Sequence, residues 1–204
     1  LGWSPHQSTQ AVQKLPTDWE DQCIRSCLRK AYVIKEHDIP ASLFINSDQT
    51  QLVYAPGDKM TWSKTGEKQV KVVNVEEKRA ITVMVSVASD GQALPLQAIY
   101  TGKSSRSLPN SAASNYDDAI NAGFRLVSSM TATYWSNQTT MKDFANDILA
   151  PYISAEIERL GLPPNQKALW TIDVFSVHCS REFCMWMKEN HPNIFLDYVP
   201  GGCT

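Results

Sequence analysis

The stretch SLFINSD, residues 42–48, decides how the rest of the chain is read. Ser42-Leu43-Phe44-Ile45 is a short apolar run of the kind that forms a buried strand. It hands over to Asn46-Ser47-Asp48-Gln49-Thr50, where a carboxylate sits among amides and hydroxyls. Asn, Ser and Asp also build turns by bonding their own backbone, so Asp48 alone fits an Asx-turn as well as a metal or acid/base site. A second acid repeats the setting: Ala168-Leu169-Trp170-Thr171-Ile172 reads as a strand, and Asp173 follows it. Taken singly, Asp173 also fits the first turn of a helix, where the dipole favours an acid. Ligands of α/β sheets gather at the carboxyl ends of strands. Two aspartates held close together there repel each other unless a cation lies between them. A hard, oxygen-seeking ion such as Mg2+, or Mn2+ in its place, suits that arrangement.

The segments around these two strands set the fold class. Thr17, with Glu20 three residues later, gives a capping box for a helix running to about His37. Its apolar positions Trp19, Cys23, Ile24, Cys27, Leu28 and Tyr32 share one stripe, and Ile39-Pro40 ends it. Val70 to Val75 is a β-rich run. Residues 81–88 and 93–100 read as a hairpin turning at Asp90-Gly91. Alternation gives this hairpin one buried face of Ile81, Val83, Val85 and Val87, with Met84 and Ser86 on the other. A loop covers 101–115, a short helix starts at Tyr116, and Arg125 to Val127 is extended. Asn137 opens a long helix to about Leu160, interrupted by Pro151. A helix over 180–190 and a last strand from Ile194 to Val199 follow; within that strand, alternation sends Asp197 to solvent or to a cap. An antiparallel opening followed by right-handed βαβ units gives an α/β mixed sheet with helices on both faces.

With 204 residues, 43% apolar and 20% charged, the chain holds one good-sized domain plus an arm: a helical arm or linker over 1–38 and the sheet domain over 39–204. A net charge of −2 provides no overall basic field. Locally, Lys59, Lys64, Lys68, Lys71, Lys78, Arg79, Lys103 and Arg106 surround the first strands and the hairpin. They read either as a phosphate-tracking patch or as a solvated lysine-rich loop. No apolar run approaches the roughly 20 residues of a membrane span. The first residues have neither the basic start nor the apolar core of a secretion signal, and without an initiator Met the chain is expected to begin inside a longer protein. Five cysteines without a CxxC pair read as reduced thiols. GxGxxG, GxxxxGK[ST], HExxH and GxSxG are all missing, which removes support for nucleotide-cofactor, zinc-protease and serine-hydrolase readings.

NSDQT (46–50), LPLQAIYTGK (94–103), YWSNQTTMKDFANDILAPY (134–152), ALWTIDVFSVH (168–178) and NIFLDYVPGG (193–202) come in an order that resembles the catalytic region of pogo/mariner-type transposases, more closely the DDE-1 superfamily endonuclease domain. The resemblance spans roughly residues 40 to 204. It implies an RNase H-like fold in which Asp48 and Asp173 are catalytic and bind Mg2+ (or Mn2+), with His178 accessory. It further implies metal-dependent cleavage and transfer of DNA strands at transposon ends, in the nucleus, with no membrane partner and with a homodimer as a compatible state. Lys64, Lys68, Lys103 and Arg106 become the expected DNA contacts. Family members complete the site with a third acid on a helix beyond the last strand. Here Pro200-Gly201-Gly202 and Thr204 follow instead, so the resemblance implies a domain incomplete at its C-terminus and feeble as a nuclease. The rival expectation is a domesticated or decayed, non-catalytic domain that binds DNA or protein.

Overall fold

The computed structural model describes residues 2–7, 15–54, 60–66 and 80–203. Strand β1 (Trp3–Gln7) and, further on, β3 (Met60–Lys64) pair antiparallel as a separate two-stranded ribbon. Helix α1 (Trp19–Glu36) forms where the sequence predicts a helix. Asp18 rather than Thr17 takes the cap position, and its carboxylate accepts from Gln22 (2.8 Å) instead of capping the first turn. Strand β2 (Phe44–Val53) runs further than the apolar residues alone require. It is carried past Asp48 by antiparallel pairing with β4 (Ala80–Ala88), Asp48 standing opposite Val85. The turn after β4 uses Asp90 and Gly91, the glycine supplying φ +95°. β5 (Gln97–Tyr100) is shorter than the expected 93–100, because Pro95 has no N–H to donate to a ladder. The β-rich run at 70–75 lies outside the described residues.

The remaining elements are α2 (Tyr116–Asn121), β6 (Arg125–Ser128), α3 (Gln138–Phe144), α4 (Ala150–Arg159), β7 (Ala168–Ile172), α5 (Arg181–Asn190) and β8 (Ile194–Tyr198). Asn137 caps α3 through a reciprocal box with Thr140. One π turn, Ala145–Leu149, joins α3 to α4. An unbroken α-helix would press the Pro151 ring against the carbonyl four residues back, and the wider turn relieves that clash without ending the rod.

A six-stranded sheet of order β6-β5-β4-β2-β7-β8 results, with only β4 antiparallel to its neighbours. Its core lies on the face covered by α3, α4 and α5. There Phe144 stacks on Trp170 (centroids 5.7 Å apart) and Phe183 meets the indole edge-on (6.3 Å). Met84, Ser86 and Ala88 point into this layer, whereas Val85 and Val87 are 37% and 41% exposed. The expected buried face of β4 therefore holds at Ile81 and Val83, which are buried, and fails at Val85 and Val87, where the helical layer covers the Met84–Ser86–Ala88 side instead.

Helix α1 lies on the other face, so helices cover both sides of the sheet. Val33 and Ile34 near its C-terminal end pack on the core, but in place of the expected apolar stripe an ion pair faces the sheet: Asp197 of β8, only 5% exposed, takes the Arg29 Nε at 2.7 Å and the Lys30 Nζ at 3.0 Å. A buried carboxylate demands cationic partners, so α1 turns Ser26 and Lys30 inward and leaves Ile24, Leu28 and Tyr32 exposed. Asp197 therefore goes to a buried ion pair, not to solvent or a cap.

Candidate active site at two strand ends

Strands β2 and β7 are adjacent and parallel, with Phe44 beside Leu169, Ile45 beside Trp170 and Asn46 beside Thr171. Asp48 and Asp173 each lie two residues beyond the last paired positions, so both acids fall at the same end of this strand pair. Asp48 is not at the tip of its own strand, because β2 continues along β4. It lies just past the point where β7 leaves, on the open flank.

That departure explains the local bonding of Asp48. The Phe44 carbonyl bonds the Ser89 N–H on the β4 side (2.8 Å), so by alternation the Gln49 N–H faces the side that β7 has vacated. The Asp48 Oδ1 accepts it at 2.8 Å, and the Asp48 side chain is otherwise exposed. Ser47, facing the core, accepts from the Trp170 Nε1 at 2.8 Å and shares a 2.6 Å hydrogen bond with Ser86. This buried bond ties β2 to β7 one residue before the first acid.

Asp173 is half-buried. Nδ1 of His178 lies 2.8 Å from its Oδ1 and 3.2 Å from its carbonyl oxygen. The N–H aligns on the carbonyl, so the buried Oδ1 stays in close contact yet without an aligned hydrogen bond of its own. On the far side of the ring, the Gln49 amide nitrogen donates to the His178 Nε2 at 2.9 Å, and the Gln49 Oε1 accepts from the Ser136 hydroxyl at 2.8 Å. These partners select the Nδ1–H tautomer. The Tyr198 hydroxyl donates to the His178 carbonyl at 2.9 Å, and burial pushes that phenol well above its ordinary pKa.

His178 is 1% exposed with both ring nitrogens engaged. It positions Asp173 and links it to Gln49, the neighbour of Asp48. Gln49, Ser136 and Tyr198 were not singled out from sequence. Only Gln49 carried a signal, a polar side chain in the alternation set of Ile45 and Ser47, which faces the core.

The expected DNA contacts are placed unevenly. Lys103 and Arg106 are exposed and follow the carboxyl end of β5, which is parallel to β2, so they leave the sheet at the same end as the two acids. Gly102 precedes them at φ +139°, where any Cβ would strike Ser107. Lys64 lies in β3. Lys68 falls outside the described residues, as do Lys59, Lys71, Lys78 and Arg79.

In donor type the two acids fit Mg2+ or Mn2+: Asp48 presents a carboxylate to solvent, and Asp173 is partly exposed with its Oδ1 held beside the His178 ring. Among the described residues no group of three or more His, Cys, Asp or Glu stands ready to hold a metal. Asp197 is committed to α1. A cation here would complete its shell with water and phosphate oxygens, as Mg2+ commonly does.

One antiparallel strand inside an otherwise parallel sheet, with helices on both faces, gives an RNase H-like, transposase-like fold. A chain of a pre-cleavage Mos1 transpososome shares it with a TM-score of 0.50 at 8% identity, over 97% of this chain and 48% of that one. This chain therefore spans about half the length of the solved chain it matches. No family model and no curated protein matches the sequence.

Proposed function

We propose that this chain is a pogo-type DDE endonuclease domain acting on transposon DNA in the nucleus, with Asp48 and Asp173 as its metal-binding acids. The observation that supports the reading is the shared register of β2 and β7, which carries both acids to one edge of the sheet with His178 packed against Asp173. When bound there, Mg2+ or Mn2+ would activate the attacking water or 3′-hydroxyl and stabilise the leaving oxygen of a phosphodiester. Asp48 and Asp173 would hold the ion, and the protein's remaining task is orientation. His178 fixes the Asp173 rotamer, Gln49 and Ser136 fix His178, and Tyr198 anchors the loop that carries the ring. Positioning of this sort contributes strongly in phosphoryl chemistry, since in-line displacement needs little covalent help.

The test is nicking of supercoiled DNA in Mg2+ or Mn2+ by the wild type, Asp48→Asn and Asp173→Asn. Loss of nicking in both variants, at unchanged melting temperature, is expected. Equal nicking in all three removes both acids from the mechanism and leaves the non-catalytic, DNA- or protein-binding reading.

A further inference from the structure

A cleft of about 380 Å3 opens beside the candidate site, at the carboxyl ends of β7 and β8. Gln22, Arg25 and Arg29 of α1 line one wall; Val174, Tyr198 and Pro200 line the other. Val174 is the residue after Asp173, and the Val199 N–H bonds the Ile172 carbonyl at 2.9 Å, so the floor of the cleft continues the edge of the sheet on which the acids sit.

Two guanidinium groups line the α1 side of this cleft. The Asp197 carboxylate is shared by two cations, Lys30 at 3.0 Å and Arg29 at 2.7 Å. Lys30 alone balances it, and Lys30 is further held by the Ser26 hydroxyl at 2.6 Å. The Arg29 charge is left over. Its Nε is spent on Asp197 and one terminal nitrogen donates to the Tyr198 carbonyl at 3.4 Å, which leaves three of the five guanidinium N–H donors free. Arg29 is thus a half-exposed cation whose direction is already fixed. Arg25, one turn earlier, is 81% exposed and only loosely paired with Asp21 at 4.0 Å, too far and too solvated to hold it. A fixed guanidinium beside a free one, in a concave notch, is a receptor for phosphate oxygens.

We propose that this cleft is a subsite for the sugar-phosphate backbone of the DNA strand whose cleavage is assigned above to Asp48 and Asp173, with Arg29 as the fixed anion receptor and Arg25 as its mobile partner. The proposal rests on that functional reading and extends it to α1, outside the segments through which the sequence resembles a nuclease. It routes the strand across the face of α1 and over β8 toward the strand-end acids.

The experiment measures anisotropy of a short fluorescein-labelled DNA duplex with the full chain in EDTA, across a salt series, for the wild type, Arg25→Ala, Arg25→Lys and Arg25→Glu. Arg29 is left intact because its Nε is hydrogen-bonded to the buried Asp197, so replacing it would disturb the packing of α1 on β8. Losing one phosphate contact reduces the slope of log affinity against log salt by about 0.9, and weakens binding at moderate salt by roughly threefold to tenfold. Arg25→Ala is expected to show both changes, Arg25→Glu larger ones, and Arg25→Lys to keep most of the wild-type slope. Melting temperatures stay level, since Arg25 is in solvent. Wild-type affinity and slope in both Arg25→Ala and Arg25→Glu overturn the subsite. If that happens while Asp48→Asn and Asp173→Asn abolish nicking, the functional reading stands and the cleft alone is wrong. If the wild type shows no salt-dependent DNA binding, both fall together.

Discussion

Replacing Ser47 by Ala tests the joint between the two strands that carry Asp48 and Asp173. The Ser47 hydroxyl is the acceptor for the Trp170 indole N–H at 2.8 Å and the partner of Ser86 at 2.6 Å, and all three residues are buried. Alanine removes the acceptor and puts nothing in its place, so a buried donor on a side chain with no solvent access goes unpaired. That costs about 1–3 kcal/mol. For a domain of this size each kcal/mol lowers the melting temperature by roughly 2–4 °C, so a 2 kcal/mol loss shifts it by about 4–8 °C. The assay is urea unfolding of Ser47→Ala, Trp170→Phe and the double variant. Phenylalanine lacks the N–H, so Ser47→Ala costs less on that background, and a coupling of about 1 kcal/mol separates the two effects. A loss below about 0.5 kcal/mol for Ser47→Ala, or strict additivity in the double variant, refutes the view that this bond fixes the stagger of β2 on β7.

Other perturbations follow from the same structure. Hydrogen bonds from Arg159 hold the Glu156 carboxyl below its ordinary pKa, with Glu156 itself buried. A depressed folded-state pKa contributes stability above the unfolded value, near 4.3, and that contribution is lost as pH falls through the folded value. Glu156→Gln is therefore less stable than wild type at pH 7, and the gap in urea midpoints closes as the pH drops below about 4; a gap that persists in acid contradicts the ion-pair account. The Thr171 hydroxyl is buried without a hydrogen-bond partner in β7, so the isosteric Thr171→Val should raise stability by about 1 kcal/mol in the same unfolding assay. A comparable loss would mean that the hydroxyl is in fact bonded.

What the sequence revealed and what it hid have a common cause. Strand β7 and the start of β2 were legible because short apolar runs ending in polar residues mark buried parallel strands, and their acids stood out for the same reason. The long α3–α4 rod was legible from its cap at Asn137, although its passage through Pro151 needed a π turn that no local pattern announces. The apolar set of β4 is buried only at Ile81 and Val83; Val85 and Val87 are exposed because the helical layer covers the Met84–Ser86–Ala88 side. The stripe on α1 misled in the same way: the buried charge of Asp197, far along the chain, pulled Arg29 and Lys30 to the sheet and left Leu28 and Tyr32 in solvent. Long-range electrostatics leave no periodicity. The supporting residues of the site were hidden for that reason as well, since Gln49, Ser136 and Tyr198 meet His178 only once the strands have paired.

The central claim is that Asp48 and Asp173 share one divalent cation, and Mn2+ binding followed by electron paramagnetic resonance reads it directly. Titration of the wild type should titrate out the free-ion signal at one site, and either Asp48→Asn or Asp173→Asn should weaken that site by roughly tenfold or more. Wild-type Mn2+ affinity in both variants would contradict the account.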